Sequence, residues 1–154
     1  MRRARQRITT ALTTIALAGQ PLVASADSVI ATEGEMVVTL LGTGTPAPLL
    51  DRFGYATLVS AGEQVLLFDV GRGTVQRLWQ VGLLPGEVDE VFLTHYHSDH
   101  LISLPDLWLT SWLPPYGAKS DPLRITGPAG VRALTEGLSA AFAADIAIRI
   151  EDQN

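Results

Sequence analysis

Residues 88–101 read Val88-Asp89-Glu90-Val91-Phe92-Leu93-Thr94-His95-Tyr96-His97-Ser98-Asp99-His100-Leu101. The uncharged run Val91-Phe92-Leu93 predicts a buried strand over 88–94. All three histidines of the 154-residue chain then follow within six positions, together with Asp99. Imidazole nitrogens and carboxylate oxygens clustered at a strand end suit Zn²⁺, and also Mn²⁺ or Fe²⁺. In extended or turning backbone, residues two apart face the same way, so His95 and His97 can grip one ion. Asp99 and His100, displaced around the turn, can face a second. Two ions about 3.5–4 Å apart activate a water and stabilise charge on the group it attacks.

The flanking sequence predicts α/β construction. Met36-Val37-Val38-Thr39-Leu40-Leu41 reads as a strand, broken by Gly42-Thr43-Gly44-Thr45-Pro46-Ala47-Pro48. Tyr55–Ala61 and Gln64–Phe68 read as a hairpin turning at Gly62-Glu63. A short helix follows Asp69-Val70-Gly71-Arg72-Gly73, with Val75, Leu78, Trp79 and Gly82 at helical spacing. Beyond the histidines, Leu104, Leu107, Trp108 and Trp112 mark a helix ended by Pro114-Pro115. Leu123–Thr126 reads as a strand, Val131, Leu134, Leu138 and Phe142 as a helix stripe, and Ile146–Ile150 as an alternating, incoming strand.

The N-terminus carries Arg2, Arg3, Arg5 and Arg7, then an uncharged stretch from Ile8 to Val23 and the small-residue run Ala24-Ser25-Ala26. This order predicts a cleaved signal peptide over 1–26 and a periplasmic or secreted product. Residues 27–35 read as a loose lead-in, and 36–154 as the N-terminal part of one domain. From Asp27 onward, 7 basic side chains face 16 acidic ones, a formal charge of -9. That balance excludes a long-range basic field and argues against nucleic acid as a partner. There is no cysteine, so thiolate ligands and cysteine nucleophiles are excluded. Gly42-Thr43-Gly44 lacks the lysine and spacing of a phosphate loop. Asp69, at a strand end, can orient a ligating histidine or cap the helix after Gly73.

His95-Tyr96-His97-Ser98-Asp99-His100 resembles the His-x-His-x-Asp-His signature of the metallo-β-lactamase superfamily. Leu41-Gly42-Thr43-Gly44-Thr45-Pro46, Leu67-Phe68-Asp69-Val70-Gly71 and Phe92-Leu93-Thr94 are similar to its ribonuclease Z and arylsulfatase-like branch. The resemblance implies an αββα sandwich with metals at one edge, where the sheets meet. It also implies His95 and His97 as ligands of one zinc and Asp99 and His100 as ligands of a second. Asp69 matches an acid beneath the site that orients ligands, and Gly42 and Gly44 belong to a nearby loop. The implied activity is zinc-dependent hydrolysis of a phosphodiester or sulfate ester, with a small-molecule ester as substrate and Asp99 and Asp69 in the catalytic site.

Members of the family are about twice as long, and this chain carries no histidine after His100. Two ligands per ion fall short of the three that a catalytic zinc takes from protein. The resemblance therefore covers an N-terminal half-domain. A sheet with helices on one side would leave its other face bare, with strand residues such as Val91 and Leu93 needing cover. The expected outcomes are poor stability, aggregation, a homodimer, or completion by a complementing C-terminal chain. The alternatives to an enzyme are an inactive truncated fragment and an exported metal-binding or interaction module.

Overall fold

The β-branched run after Glu35 forms strand β1 (Met36–Gly42) in the computed structural model of the protein, which describes residues 28–152. The expected export leader, 1–26, lies outside the described residues. β1 pairs antiparallel with β2 (Ala56–Ala61), and β2 with β3 (Gln64–Phe68), across the expected turn at Gly62-Glu63. Gly62 takes φ 58°, the left-handed backbone such a short connection needs. β4 (Glu90–Phe92) and β5 (Arg124–Thr126) extend the sheet in parallel, giving the order β1-β2-β3-β4-β5. Helix α1 (Thr74–Gln80) lies in the first parallel crossover and α2 (Leu104–Ser111) in the second. α3 (Val131–Ala141) and α4 (Ala143–Asp152) follow β5.

Side-chain alternation decides which face of the sheet is covered. Ala56, Leu58, Ser60, Val65, Leu67, Val91 and Leu93 are buried, in one core with Leu78 of α1 and Leu104 and Leu107 of α2. Val91 and Leu93 are therefore covered within the described residues, contrary to the expectation that they need cover from elsewhere. The bare face carries the alternate positions instead. Val38, Val59 and Leu66 lie in register across it, as do Leu40, Thr57, Phe68 and Phe92. None of these is buried: Leu40 is 65% exposed, and Phe68 and Phe92 stack at 5.0 Å. The described residues thus form one αβ half of the expected αββα sandwich.

An apolar face of this breadth promotes association in water. The 154-residue chain is expected to self-associate at micromolar concentration, and Val38→Lys with Leu40→Lys to shift it toward 16.5 kDa. Sedimentation velocity reads the outcome. A wild-type chain that sediments as a monomer and melts sharply would overturn it.

Two sequence expectations fail in the backbone. Ile146–Ile150 is helical, inside α4, rather than an incoming strand. Its inward positions are Phe142, Asp145, Ile146 and Arg149, spaced as one helix face, and Arg149 Nε donates to Asp145 Oδ2 at 2.8 Å. Three alternating isoleucines over five residues are too short a signal to outweigh that helical register and the helix-favouring alanines around them. Nor is the segment before β1 loose throughout. Ala31 is buried, and its N–H donates to the buried Ser60 Oγ at 2.8 Å.

Candidate metal centre

β3 and β4 run parallel, so their C-terminal ends deliver Asp69 and Thr94–His100 to the same edge. Asp69 has φ 60°, a left-handed conformation that aspartate tolerates better than most residues and that turns the chain out of the sheet. Its N–H donates to the Phe92 carbonyl at 2.8 Å. Its carboxylate accepts from the Thr94 N–H at 2.8 Å and from Thr94 Oγ1 at 2.8 Å, and meets His100 Nδ1 at 2.8 Å. The α1 cap at Gly73 has no side-chain hydrogen bond, so Asp69 does not cap that helix.

The turn Ser98–His100 is a single 3₁₀ turn locked to the strand end beneath it. Val70 N–H donates to the His100 carbonyl at 2.6 Å, Ser103 N–H to the Val70 carbonyl at 3.0 Å, and Gly73 N–H to Ser103 Oγ at 3.1 Å. Gly71 makes this fit possible. A Cβ there would stand 2.5 Å from the Asp99 carbonyl oxygen and 2.5 Å from the Tyr55 nitrogen. Gly42 packs on Gly54 with no room for a Cβ, and Gly54 packs on Gly71 and Arg72, which is how the Gly42–Gly44 loop reaches the site.

The side chains named from the motif come together in two groups. His95 Nε2 and His97 Nδ1 face each other at 3.0 Å, and Thr94 Oγ1 lies 2.9 Å from His95 Nδ1. His100 Nε2 and Asp99 Oδ2 are 3.7 Å apart. The His95 and His100 ring centroids are 4.1 Å apart, which brings the two groups side by side. Tyr55, which no sequence signal picked out, stacks on His100 at 4.4 Å and 15°.

This donor set fits a divalent cation. Asp99 is buried, yet the one partner its carboxylate has among the described residues is a ring nitrogen at 3.7 Å. That leaves its oxygens available to a cation. Asp69, His95 and His100 also offer ligand atoms within 4.8 Å of one another. The Asp69 oxygens are already engaged by Thr94 and His100, however, so Asp69 acts as a positioning residue. By holding His100 Nδ1 it leaves Nε2 directed at the site.

The sequence profile of the metallo-beta-lactamase superfamily matches residues 49–153, and the chain belongs to that superfamily. Ribonuclease Z of Mycobacterium marinum is 46% identical over 113 residues, 73% of this chain and 40% of that protein. Ribonuclease Z of Mycobacterium bovis is 47% identical over the same shares. The chain thus spans well under half the length of the curated relatives it matches. Among solved structures, the short form of human tRNase Z superposes with a TM-score of 0.59 at 34% identity, over 68% of this chain and 38% of that one. The metallo-beta-lactamase fold protein YhfI of Bacillus subtilis gives 0.57 at 25% identity, over 66% and 42%.

These relatives overturn one expectation. A small-molecule ester as substrate, with nucleic acid disfavoured as a partner, conflicts with relatives that are ribonucleases by name. The error lay in reading a local property from a global one. A charge of -9 describes the far field, whereas beyond about 8 Å at physiological ionic strength exposed charges are largely screened. Contacts with a bound phosphate depend on the groups beside it.

Proposed function

We propose that this chain carries the motif half of a metal-dependent phosphodiesterase site acting on RNA, with His95, His97, Asp99 and His100 as metal ligands. The observation that carries it is the clamp on His100: Asp69 holds Nδ1 at 2.8 Å, so Nε2 remains for a metal. The ribonuclease Z relatives favour a phosphodiester over a sulfate ester. Divalent ions bound there supply Lewis acidity, lowering the pKa of a water and polarising a phosphoryl oxygen. The chain's own residues orient and enclose. Thr94 Oγ1 bridges the Asp69 carboxylate and His95 Nδ1, coupling both histidine orientations to one acid. Tyr55 covers one face of the His100 ring and limits its rotation. Zinc is the metal we assign to nitrogen-rich donors, with Mn²⁺ or Fe²⁺ as alternatives.

Metal content tests the ligand assignment. The chain should take up Zn²⁺ on dialysis, and His97→Ala with Asp99→Ala should lose it while keeping the circular dichroism spectrum. Metal content unchanged in that double variant would refute the assignment. Cleavage of a precursor tRNA with added Zn²⁺ reads the activity.

We also propose export, with cleavage after Ala26. The intact mass of the chain recovered from its host checks this. Retention of Met1–Ala26 would sink it.

A further inference from the structure

We propose that Arg52, Arg72 and Arg77 form a phosphate-contacting edge that leads a single strand of RNA to the metal centre. The inference rests on the phosphodiesterase reading above and names the residues that hold its substrate.

Seven lysines and arginines lie among the described residues. Lys119, Arg124 and Arg149 are spent on ion pairs with Asp89, Glu90 and Asp145. Arg52, Arg72 and Arg77 have no carboxylate within ion-pair distance among the described residues, and all three border the segment 42–54. The anchors of Arg72 and Arg77 are neutral. Arg72 Nη1 donates to the Pro46 carbonyl at 3.3 Å. Arg77 Nη2 donates to the Asp51 carbonyl at 3.2 Å and Nη1 to Gln80 Oε1 at 2.8 Å, with its guanidinium 4.4 Å from the Phe53 ring centroid. Contacts of this kind fix a guanidinium in place and leave its charge free for an anion. Arg77 Nε is buried with no hydrogen-bond partner, an unmet donor in a positively charged group.

Arg52 and Arg77 line a cleft of about 270 Å³ with Gly42, Thr43, Asp51 and Gln80. Asp51 offsets one of those charges, so the local balance stays positive once Arg72 is included. The edge is continuous with the site. Gly54 N–H donates to the Arg72 carbonyl and Gly71 N–H to the Tyr55 carbonyl, each at 2.8 Å, and the Tyr55 ring stacks on His100. From Arg52 to Tyr55 the backbone reaches at most about 10 Å, so the arginine edge begins within that distance of the residue stacked on His100. The spacing suits a strand whose scissile phosphate sits at the metals while its neighbours meet the arginines.

The test is fluorescence anisotropy of a labelled oligouridylate of about ten nucleotides with the full chain, in EDTA, across a salt series. In EDTA the arginines are read without the metals, so failure here and failure of the metal assignment are separate results. Three contacts predict a log–log salt slope near -2, at about -0.7 per phosphate on a single strand. Arg52→Gln and Arg72→Gln, both exposed and without packing duties, should each flatten the slope by about 0.7 and together by about 1.4. Arg77→Gln adds the third increment wherever its dichroism spectrum matches wild type. Arg124→Gln, already paired with Glu90, should leave the slope unchanged. An unaltered slope in the Arg52/Arg72 double variant overturns the proposal. So does an equal effect from Arg124→Gln, or no binding by the wild-type chain at low salt.

Discussion

Gly71→Ala should lower the melting temperature by about 10 °C or more and abolish metal uptake with the same change. A Cβ at this position meets the Asp99 carbonyl oxygen and the Tyr55 nitrogen at 2.5 Å and the Gly54 carbonyl carbon at 2.6 Å. All three are backbone atoms, one in the motif turn and two in the Gly54–Tyr55 peptide, so no side-chain rotamer relieves the clash. The β2 edge, the Asp69–Gly73 turn and the metal-motif turn must separate to admit one methyl group. Overpacking of this kind costs about 3 kcal/mol, and more when backbone has to move. The displaced segment contains Asp99, so the site loses geometry as the fold loses stability. Melts at one fixed protein concentration decide it, since self-association makes stability concentration-dependent. A change of under about 2 °C would show that the strand ends separate freely.

Asp69→Asn should weaken metal binding about 10–100-fold while costing only about 1 kcal/mol of stability. Asparagine tolerates φ 60° and keeps one carbonyl oxygen for the Thr94 N–H, so the turn survives. It loses the charge that orients His100 through Nδ1. Asp69→Ala should be worse in both respects, because alanine at a left-handed φ adds about 1–2 kcal/mol of strain. It also leaves the Thr94 N–H without its acceptor. Metal titration of Asp69→Asn, alongside its melting curve, separates positioning from folding. Wild-type affinity in this variant would show that the clamp on His100 does not matter.

Much of the candidate site was legible because histidine is rare in this chain and crowded into one stretch. Three histidines in six residues after Val91-Phe92-Leu93 leave little else for them to do, and the structure brings them to one edge. Asp69 was harder. A lone acid before Gly71 and Gly73 serves equally as a helix cap, and only its meeting with Thr94 and His100, 25 and 31 positions along, separates the two roles. Tyr55 gave no signal, because stacking on His100 depends on how β2 lies against the motif turn. The arginine edge was hidden in the same way. Composition counted its charges into a sum, and which of them keep a carboxylate partner is a matter of distance.

Local chemistry, written along the chain, was enough to specify the strand-then-histidine motif, the hairpin at Gly62-Glu63 and the α/β order. Each depends on residues within a few positions of one another. Which sheet face is covered, whether Ile146–Ile150 is helix or strand, and how Asp69, Tyr55 and the arginines relate to the metal ligands all depend on contacts between segments far apart in sequence. Packing settles those, because a side chain's partners are set by the elements folded against it and not by its neighbours along the chain.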